Sequence, residues 1–179
     1  MGGYVSIQDN NQKANRVIKE LQKLKGAKLK VGVMGENNQQ SDEADMVTIA
    51  SVHEFGVSIE VTEAMRGWFM WKGFPLSPST TEINIPERSF IRKAFDKNKK
   101  DLRKKANRFY TQVIKGNMTA EMMMDKLGTW CVRLVQETID DVDSPPLSGM
   151  TQQMRKGNEG SPLQDTGKLW QSIQYEVEW

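Results

Sequence analysis

His53 and Glu54 are the residues whose types could begin a zinc-binding helix. In that motif two histidines on one helix face hold the metal, and the glutamate beside the first histidine acts as a base. The chain has one histidine, so the second ligand is missing, and Gly56 interrupts the helix that the motif requires. We therefore predict no metal site and expect His53 to be a partly buried residue at a helix end.

Two further positions could do chemistry, but their surroundings argue against it. Cys131 would need a histidine partner to act as a nucleophile; it lies on the apolar stripe of a predicted helix and is expected in the core. Gly167 and Lys168 are similar to the end of a phosphate-binding loop. That loop needs glycine at position 162 and serine or threonine at position 169, where this chain has proline and leucine. We predict no enzyme activity and no cofactor.

The composition limits the class of protein. The chain has 179 residues, which suits a single domain over residues 1–179. Hydrophobic residues make up 37% and charged residues 27%, and the net charge of +2 favours no class of partner. No apolar stretch is long enough to span a bilayer, and residues 1–15 lack the apolar core of a signal peptide. We expect synthesis in a cytosol, no membrane and no small-molecule substrate.

A basic run extends from Arg88 to Arg108. It contains ten Lys or Arg and two Asp, a local charge of +8. Cations along one helix can follow nucleic-acid phosphates; the alternatives are a solvated helix face or contact with an acidic subunit. No aromatic residue interrupts the run between Phe95 and Phe109. Five cations are predicted to contact DNA or an acidic partner: Lys97, Lys99, Lys100, Arg103 and Lys104.

Four aromatic residues fall within seven positions of the segment 62–85, which we predict to be an extended hairpin or a projecting loop. They are Trp68, Phe69, Trp71 and Phe74. One interpretation folds this segment onto the core. The other makes it an arm that buries its aromatic side chains in a neighbouring subunit, where such residues dominate the binding energy. On that interpretation the four residues are interface residues.

Apolar periodicity predicts the elements that position these residues. The spacing predicts helices over 10–25 and 42–55, strands over 29–33 and 57–61, and a polar turn over 35–41. Gly56 can adopt the positive φ that ends a helix. Long helices are predicted over 87–115, opened by Pro86, and over 119–141, capped by Thr119.

The C-terminal part is predicted to be a long loop followed by a strand. Residues 143–164 are rich in Pro, Gly, Ser and Gln and show no periodicity. Ile173, Tyr175 and Val177 alternate with polar residues, which predicts an edge strand over 172–178 that could extend a neighbour's sheet. These three are candidate interface residues. The predicted fold is α+β: a small, mainly antiparallel sheet covered by two long helices and shorter N-terminal helices.

Three groups of residues, in this order, resemble one family. The first is Lys30-Val31-Gly32-Val33 with Ile49 to Gly56, the second is Ile85 to Arg92, and the third is Pro145-Pro146-Leu147, Ser161 to Leu169 and Ser172-Ile173. Together they resemble the tail-completion, or virion-morphogenesis, family of long-tailed bacteriophages over about residues 29–177. Serine stands at position 89 where many members carry proline, and the segment 62–85 is longer than usual.

The resemblance implies a structural protein of the virion neck, without catalysis or cofactors. It implies self-association, with a hexameric ring favoured, and docking to neighbouring neck and tail-tube proteins, with passing contact to DNA. The location implied is the virion, and the host cytoplasm during assembly. The implied structural residues are Gly56, Pro86, Arg88, Phe90, Asp165 and Gly167. The alternative function is a nucleic-acid-binding module that uses the basic helix 88–108.

Overall fold

The computed structural model describes residues 7–34, 45–155 and 161–179 of the chain. The helices in these residues are α1 (Ile7–Gly26), α2 (Met46–Phe55), α3 (Glu63–Trp71), α4 (Ile91–Ile114), α5 (Ala120–Asp141), α6 (Gly149–Met154) and α7 (Lys168–Gln171). The strands are β1 (Lys28–Val33), β2 (Val57–Glu60), β3 (Glu82–Ile85) and β4 (Ile173–Glu178). The predicted α+β class is confirmed. None of the described helices is both long and apolar enough to cross a membrane.

The strands form two separate two-stranded antiparallel sheets, β1 with β4 and β2 with β3, where the sequence predicted one small sheet. Alternation along a strand shows that the strand exists, but it does not show which strand lies beside it. The chain groups into two compact units. Unit 1 comprises Met1–Gly32, Phe95–Leu134 and Gln174–Trp179, and unit 2 comprises Val33–Ala94 and Val135–Ile173.

Unit 1 is built on α1, α4 and α5. Its centre consists of buried apolar side chains with partly buried ones packed around them: Val113, Met123, Leu127, then Leu21, Leu24, Leu29, Leu102, Ala106, Phe109 and Met118. The predicted helices over 10–25 and 119–141 are confirmed. Gly116 has a φ of 73° at the reversal between α4 and α5. The Thr119 hydroxyl accepts the Met122 N–H at 3.1 Å, as a helix cap does.

Unit 2 is built on α2, the β2–β3 sheet and the chain that follows α5. Helix α2 is capped by Asp45 and packs against α7. The predicted helix 42–55 is therefore confirmed from Met46 onward, whereas residues 42–44 and the predicted turn 35–41 lie outside the described residues. In the sheet, the register places Val57 opposite Ile85 at one end and Glu60 opposite Glu82 at the other.

The segment 62–85 contains the helix α3, so the predicted extended hairpin or loop is wrong for residues 63–71. Thr62 caps α3 by accepting the Met65 N–H at 3.2 Å. The aromatic residues misled the prediction because they favour strands, whereas the Glu, Ala, Met and Arg among them favour helix. Arg66 then donates to two carbonyl oxygens of the following loop at 3.0 and 2.6 Å, which holds that loop before β3.

Two predicted boundaries are also wrong. The helix predicted to start at residue 87 begins at Ile91, so Pro86 precedes the helix and does not open it. The predicted loop 143–164 contains a short helix, α6, which is capped by Ser148. The start of α4 is set by a contact with a side chain distant in sequence, which local composition does not reveal. The start of α6 has only a local cap, from Ser148 to the Thr151 N–H.

Candidate functional site

The carboxylate of Glu54 closes the N-terminus of α4. One oxygen accepts the backbone N–H groups of Phe90 and Ile91, both at 2.9 Å, and the other accepts the N–H of Arg92 at 3.0 Å. The first N–H groups of a helix have no partner within it, and the helix dipole favours a negative charge there. Glu54 is 4% exposed. This contact from the end of α2 explains why α4 begins where it does.

Arg92 holds the same carboxylate from its other side. Its guanidinium donates to Glu54 Oε1 at 3.1 Å, to the Glu54 backbone oxygen at 2.7 Å and to Glu87 Oε1 at 2.7 Å. It also lies 5.2 Å from the centre of the Phe55 ring. The hydrogen bond to Glu54 is the largest of the causes that raise the pKa of Arg92. The buried acid is therefore paired, as a buried charge requires.

Gly56 lies where α2 gives way to β2. Its φ is 70°, and its N–H donates to the Val52 oxygen at 2.8 Å, which confirms the predicted end of a helix at a glycine. A Cβ at this position would lie 2.9 Å from the Glu87 nitrogen and 3.1 Å from the Ile85 oxygen. Both are backbone atoms, so no side-chain rotation can make room for a larger residue.

Arg88 connects this region to the third group of motif residues. It is 5% exposed and donates to the backbone oxygens of Pro145 and Pro146 at 2.7 and 3.0 Å. Its own N–H donates to the His53 oxygen at 2.7 Å, and burial lowers the pKa of its guanidinium. Phe90, two residues further on, is fully buried. We call the set of central residues the motif junction: Glu54, Gly56, Arg88, Phe90 and Arg92.

An open groove of about 500 Å³ also lies in unit 2. Its apolar lining comes from α2, α6 and the chain around them: Met46, Ile49, Leu147, Met154, Leu163 and Leu169. Asp165 and Gly167 border it at the predicted turn, and Gly167, with a φ of 75°, is followed by α7 before β4. His53 Nδ1 is buried without a hydrogen-bond partner among the described residues. Burial, and then the Arg88 charge, lower the pKa of His53.

The aromatic side of α3 is presented to solvent. Trp68 is 47% exposed, Met70 68% and Trp71 76%. The Lys72 ammonium lies 4.5 Å from the Trp71 ring centre and 5.7 Å from a Trp68 ring centre. The other two predicted aromatic residues are half-buried: Phe69 and Phe74. We call the exposed set the aromatic face: Trp68, Met70 and Trp71.

Three exposed carboxylates lie at the same end of the β2–β3 sheet and at the start of α3. Glu60 and Glu82 are direct partners across the two strands, and like charges placed opposite each other repel. Glu63 is the first residue of α3 and has Arg66 at 3.9 Å. Glu82 accepts the Ser58 hydroxyl at 2.8 Å. We call the set the acidic edge: Glu60, Glu63 and Glu82.

In unit 1, exposed cations follow one side of α4 at spacings of three or four residues. This spacing places them on one helix face, away from the apolar side chains that pack in unit 1. Lys99 and Arg103 are also exposed, so all five predicted contact residues are accessible to a partner. Lys105 instead lies 4.8 Å from the centre of the Trp130 ring. We call the set on one face the basic stripe: Lys97, Lys100, Lys104 and Arg108.

The strand β4 packs within its own chain. Ile173 is 4% exposed, so its side chain is covered by its own chain, and its place at a subunit interface stays a prediction. The Tyr175 ring lies directly against Gly128, where a Cβ would overlap it, and its hydroxyl donates to Asp125, which raises the pKa of Tyr175. Val177 is half-buried. The alternation that predicted β4 reports burial, and burial alone does not distinguish the chain's own core from a neighbour's.

Cys131 is the one thiol of the chain. It is 1% exposed, and burial raises its pKa to about 11, so the thiol stays protonated at neutral pH. The predicted core position is confirmed. In the parts of the chain that the structure describes, no group of three His, Cys, Asp or Glu side chains could hold a metal ion.

Sequence reasoning missed the role of Glu54 and Arg92. It considered Glu54 as part of a zinc motif and Arg92 as one cation of a basic run. It also placed both in the groups that resemble the tail-completion family, but it assigned neither of them a contact. A usable signal was present, because Glu54 lies in a mainly apolar helix, where an acid that becomes buried needs fixed partners. The pair Glu60 and Glu82 had no such signal, since these two residues come together only through the register of β2 and β3.

No protein-family model, no curated protein and no solved structure matches this chain. The support for a function therefore comes from the geometry of the two units and from the motif residues that the motif junction brings together.

Proposed function

We propose that the protein is a non-catalytic structural component of the neck of a long-tailed bacteriophage, where it joins the head-side connector to the tail. It acts there as a tail-completion or tail-terminator ring that docks to neck and tail-tube proteins. The observation that carries the proposal is the motif junction. Members of each of the three groups that resemble the tail-completion family meet in unit 2, through hydrogen bonds made by Glu54 and Arg88. Lys30 to Gly32 of the first group lie instead in unit 1.

The motif residues hold backbone in place. Glu54 accepts three backbone N–H groups, and Arg88 donates to two backbone oxygens. Gly56 lets the chain before α4 approach α2 closely. A catalytic motif would instead bring a nucleophile and a base within hydrogen-bond reach of each other. Motif residues used in this way fix the path of the chain. This supports a binding function that lies on the exposed surface of the protein.

The exposed surfaces suit a protein that docks to other proteins. The aromatic face exposes two tryptophans, and tryptophan is one of the residues that dominate binding at protein interfaces. The basic stripe and the acidic edge add exposed charges of both signs, which favour specific partners and orientations. These surfaces support an assembly role in the virion, reached after synthesis in the host cytoplasm.

The experiment uses the phage or prophage whose genome encodes the chain. Deletion of the gene should leave filled heads and separate tails in negative-stain electron micrographs, because the joint between them is missing. The protein supplied in trans should restore joined particles, and mass spectrometry should find it in purified virions. The surface variant Lys19→Glu, a control on α1, should restore them equally well. Joined particles without the protein, or virions that lack it, would contradict the proposal.

A further inference from the structure

The two units carry opposite charge. The segments of unit 1 contain seventeen Lys or Arg and eight Asp or Glu, a net charge of +9. The segments of unit 2 contain eight Lys or Arg and fifteen Asp or Glu, a net charge of −7. These values add to the +2 of the whole chain. The described residues of unit 2 contain seven Lys or Arg and eleven Asp or Glu, a net charge of −4. The near-neutral total therefore hides a basic half and an acidic half, and each half attracts the other half of a second molecule.

The basic half has a surface that could receive a partner. The basic stripe runs from Lys97 to Arg108, about 17 Å along α4 at 1.5 Å per residue. All four of its residues are exposed. Lys100 and Lys104 lie one turn apart on the same face. Lys104 also pairs with the exposed Asp101 at 3.4 Å, so the stripe is a row of four cations with one acid beside it.

The acidic half has a surface that combines charge with apolar area. Glu63, Gly67, Met70 and Trp71 are exposed and follow the i, i+4, i+7, i+8 spacing of one helix side. Met70 and Trp71 of the aromatic face and Glu63 of the acidic edge therefore share one side of α3. The other two acids face each other across the β2–β3 sheet, a repulsion that a cation from another molecule would relieve.

We propose that copies of this chain associate head to tail, with the basic stripe of one copy on the acidic edge and aromatic face of the next. We choose a second copy as the partner because the basic stripe of one copy and the acidic edge of another are opposite in charge. Nucleic acid would use the basic stripe alone and would leave the aromatic face without a partner. A contact between two different surfaces repeats until it closes a ring or extends a filament. The inference rests on the proposed function, which already includes a ring, and adds to it the two surfaces through which neighbouring copies meet.

The test reverses each surface separately. The stripe variant carries Lys100→Glu, Lys104→Glu and Arg108→Glu, and the edge variant carries Glu60→Lys, Glu63→Lys and Glu82→Lys. Sedimentation velocity of the wild-type protein at low salt should show self-association that weakens as salt increases, because exposed charges are screened. Each variant alone should associate at least about tenfold more weakly than the wild type, because its two surfaces now carry charge of the same sign and repel each other.

Mixing supplies the decisive measurement. In an equimolar mixture, the acidic stripe of one variant meets the basic edge of the other, and their remaining native surfaces also match. The mixture should therefore regain association, as should one chain that carries both sets of changes. The matched control, Lys19→Glu with Lys25→Glu on α1, should associate like the wild type. Circular dichroism checks that every variant is folded.

Three outcomes would overturn the inference: a wild-type protein that stays monomeric at low salt, a mixture that associates no better than its components, and a control that loses association. Duplex DNA binding that the stripe variant loses, with a monomeric wild type, would assign the stripe to nucleic acid instead. Solution association does not depend on the particle. A monomeric protein that still joins heads to tails would remove this inference alone, and a self-associating protein absent from virions would remove the neck function alone.

Discussion

Two regions of unit 2 use charged and aromatic residues in opposite ways. At the motif junction, Glu54 and Arg88 are 4% and 5% exposed, and their side chains bond to backbone groups. On α3, Trp71 is 76% exposed and Glu63 lies on the surface. A buried charge with complete partners specifies the path of the chain, whereas an exposed one is available to another molecule. Changes at the junction should therefore alter stability, and changes on α3 should alter association.

Glu54→Ala should have the largest effect on stability. It removes the acceptor for three N–H groups at the start of α4 and the partner of Arg92. Hydrogen bonds to a charged group contribute about 1.5–3 kcal/mol each, with incomplete additivity, so we expect a loss of about 3 kcal/mol. Urea unfolding measures it. The control is Glu87→Ala, which removes the exposed partner of Arg92 and should change stability by less than about 1 kcal/mol. Equal losses in the two variants would contradict the role of Glu54.

Gly56→Ala should have the second largest effect. The alanine Cβ would press on backbone atoms of Ile85 and Glu87 at a φ of 70°, so strain and overlap together should reduce the free energy of unfolding by about 2 kcal/mol. Gly73→Ala is the matched control, because Gly73 has a φ of 83° with open space around it. It should lose about 1 kcal/mol from strain alone. If Gly73→Ala proved the more destabilising of the two, the close approach at Gly56 would not matter.

His53 should give the junction a smaller, pH-dependent effect. Burial lowers its pKa below the ordinary 6.5, so in mildly acidic solution the unfolded chain binds a proton that the folded chain does not. Stability should therefore be complete above about pH 6.5 and should fall as the pH decreases below that value. Urea midpoints between about pH 7.5 and 5.5 should decrease less in His53→Gln than in the wild type. Parallel curves for the two proteins would show that the folded state does not exclude the proton.

Most helices and strands of this fold could be predicted from the sequence, whereas the contacts between them could not. The apolar spacing of α1 and α5 and the alternation of β4 report which side chains are buried. The alternation of β2 predicted the strand, but Ile59 in it is exposed. Gly56, at the end of α2, and Gly116, between α4 and α5, could be predicted as turning points of the chain because a positive φ excludes most other residues. The start of α4 was misread because it is set by Glu54, which lies 36 residues before Phe90 in sequence. Partnerships over such distances leave no local pattern.

The surfaces were readable only in part, for the same reason. The basic run that includes Lys100 and Lys104 was evident, since its residues lie on one helix. The acidic edge was hidden because Glu60 and Glu82 meet through strand register, and α3 was hidden because its aromatic residues favour strands. Separation of charge between the two units was hidden as well, because each unit is assembled from distant segments of the chain.

Trp71→Ala should have the smallest effect on stability and a clear effect on association. Because the side chain is 76% exposed, its removal should change the free energy of unfolding by less than about 0.5 kcal/mol. If the aromatic face meets a second copy, the same change should weaken self-association roughly tenfold, since tryptophan contributes strongly at interfaces. Trp170→Ala, at a tryptophan of unit 2 that is 36% exposed, is the control and should leave association unchanged. A loss of stability as large as that of Glu54→Ala would show that Trp71 belongs to the core, and the contrast between the two regions would then disappear.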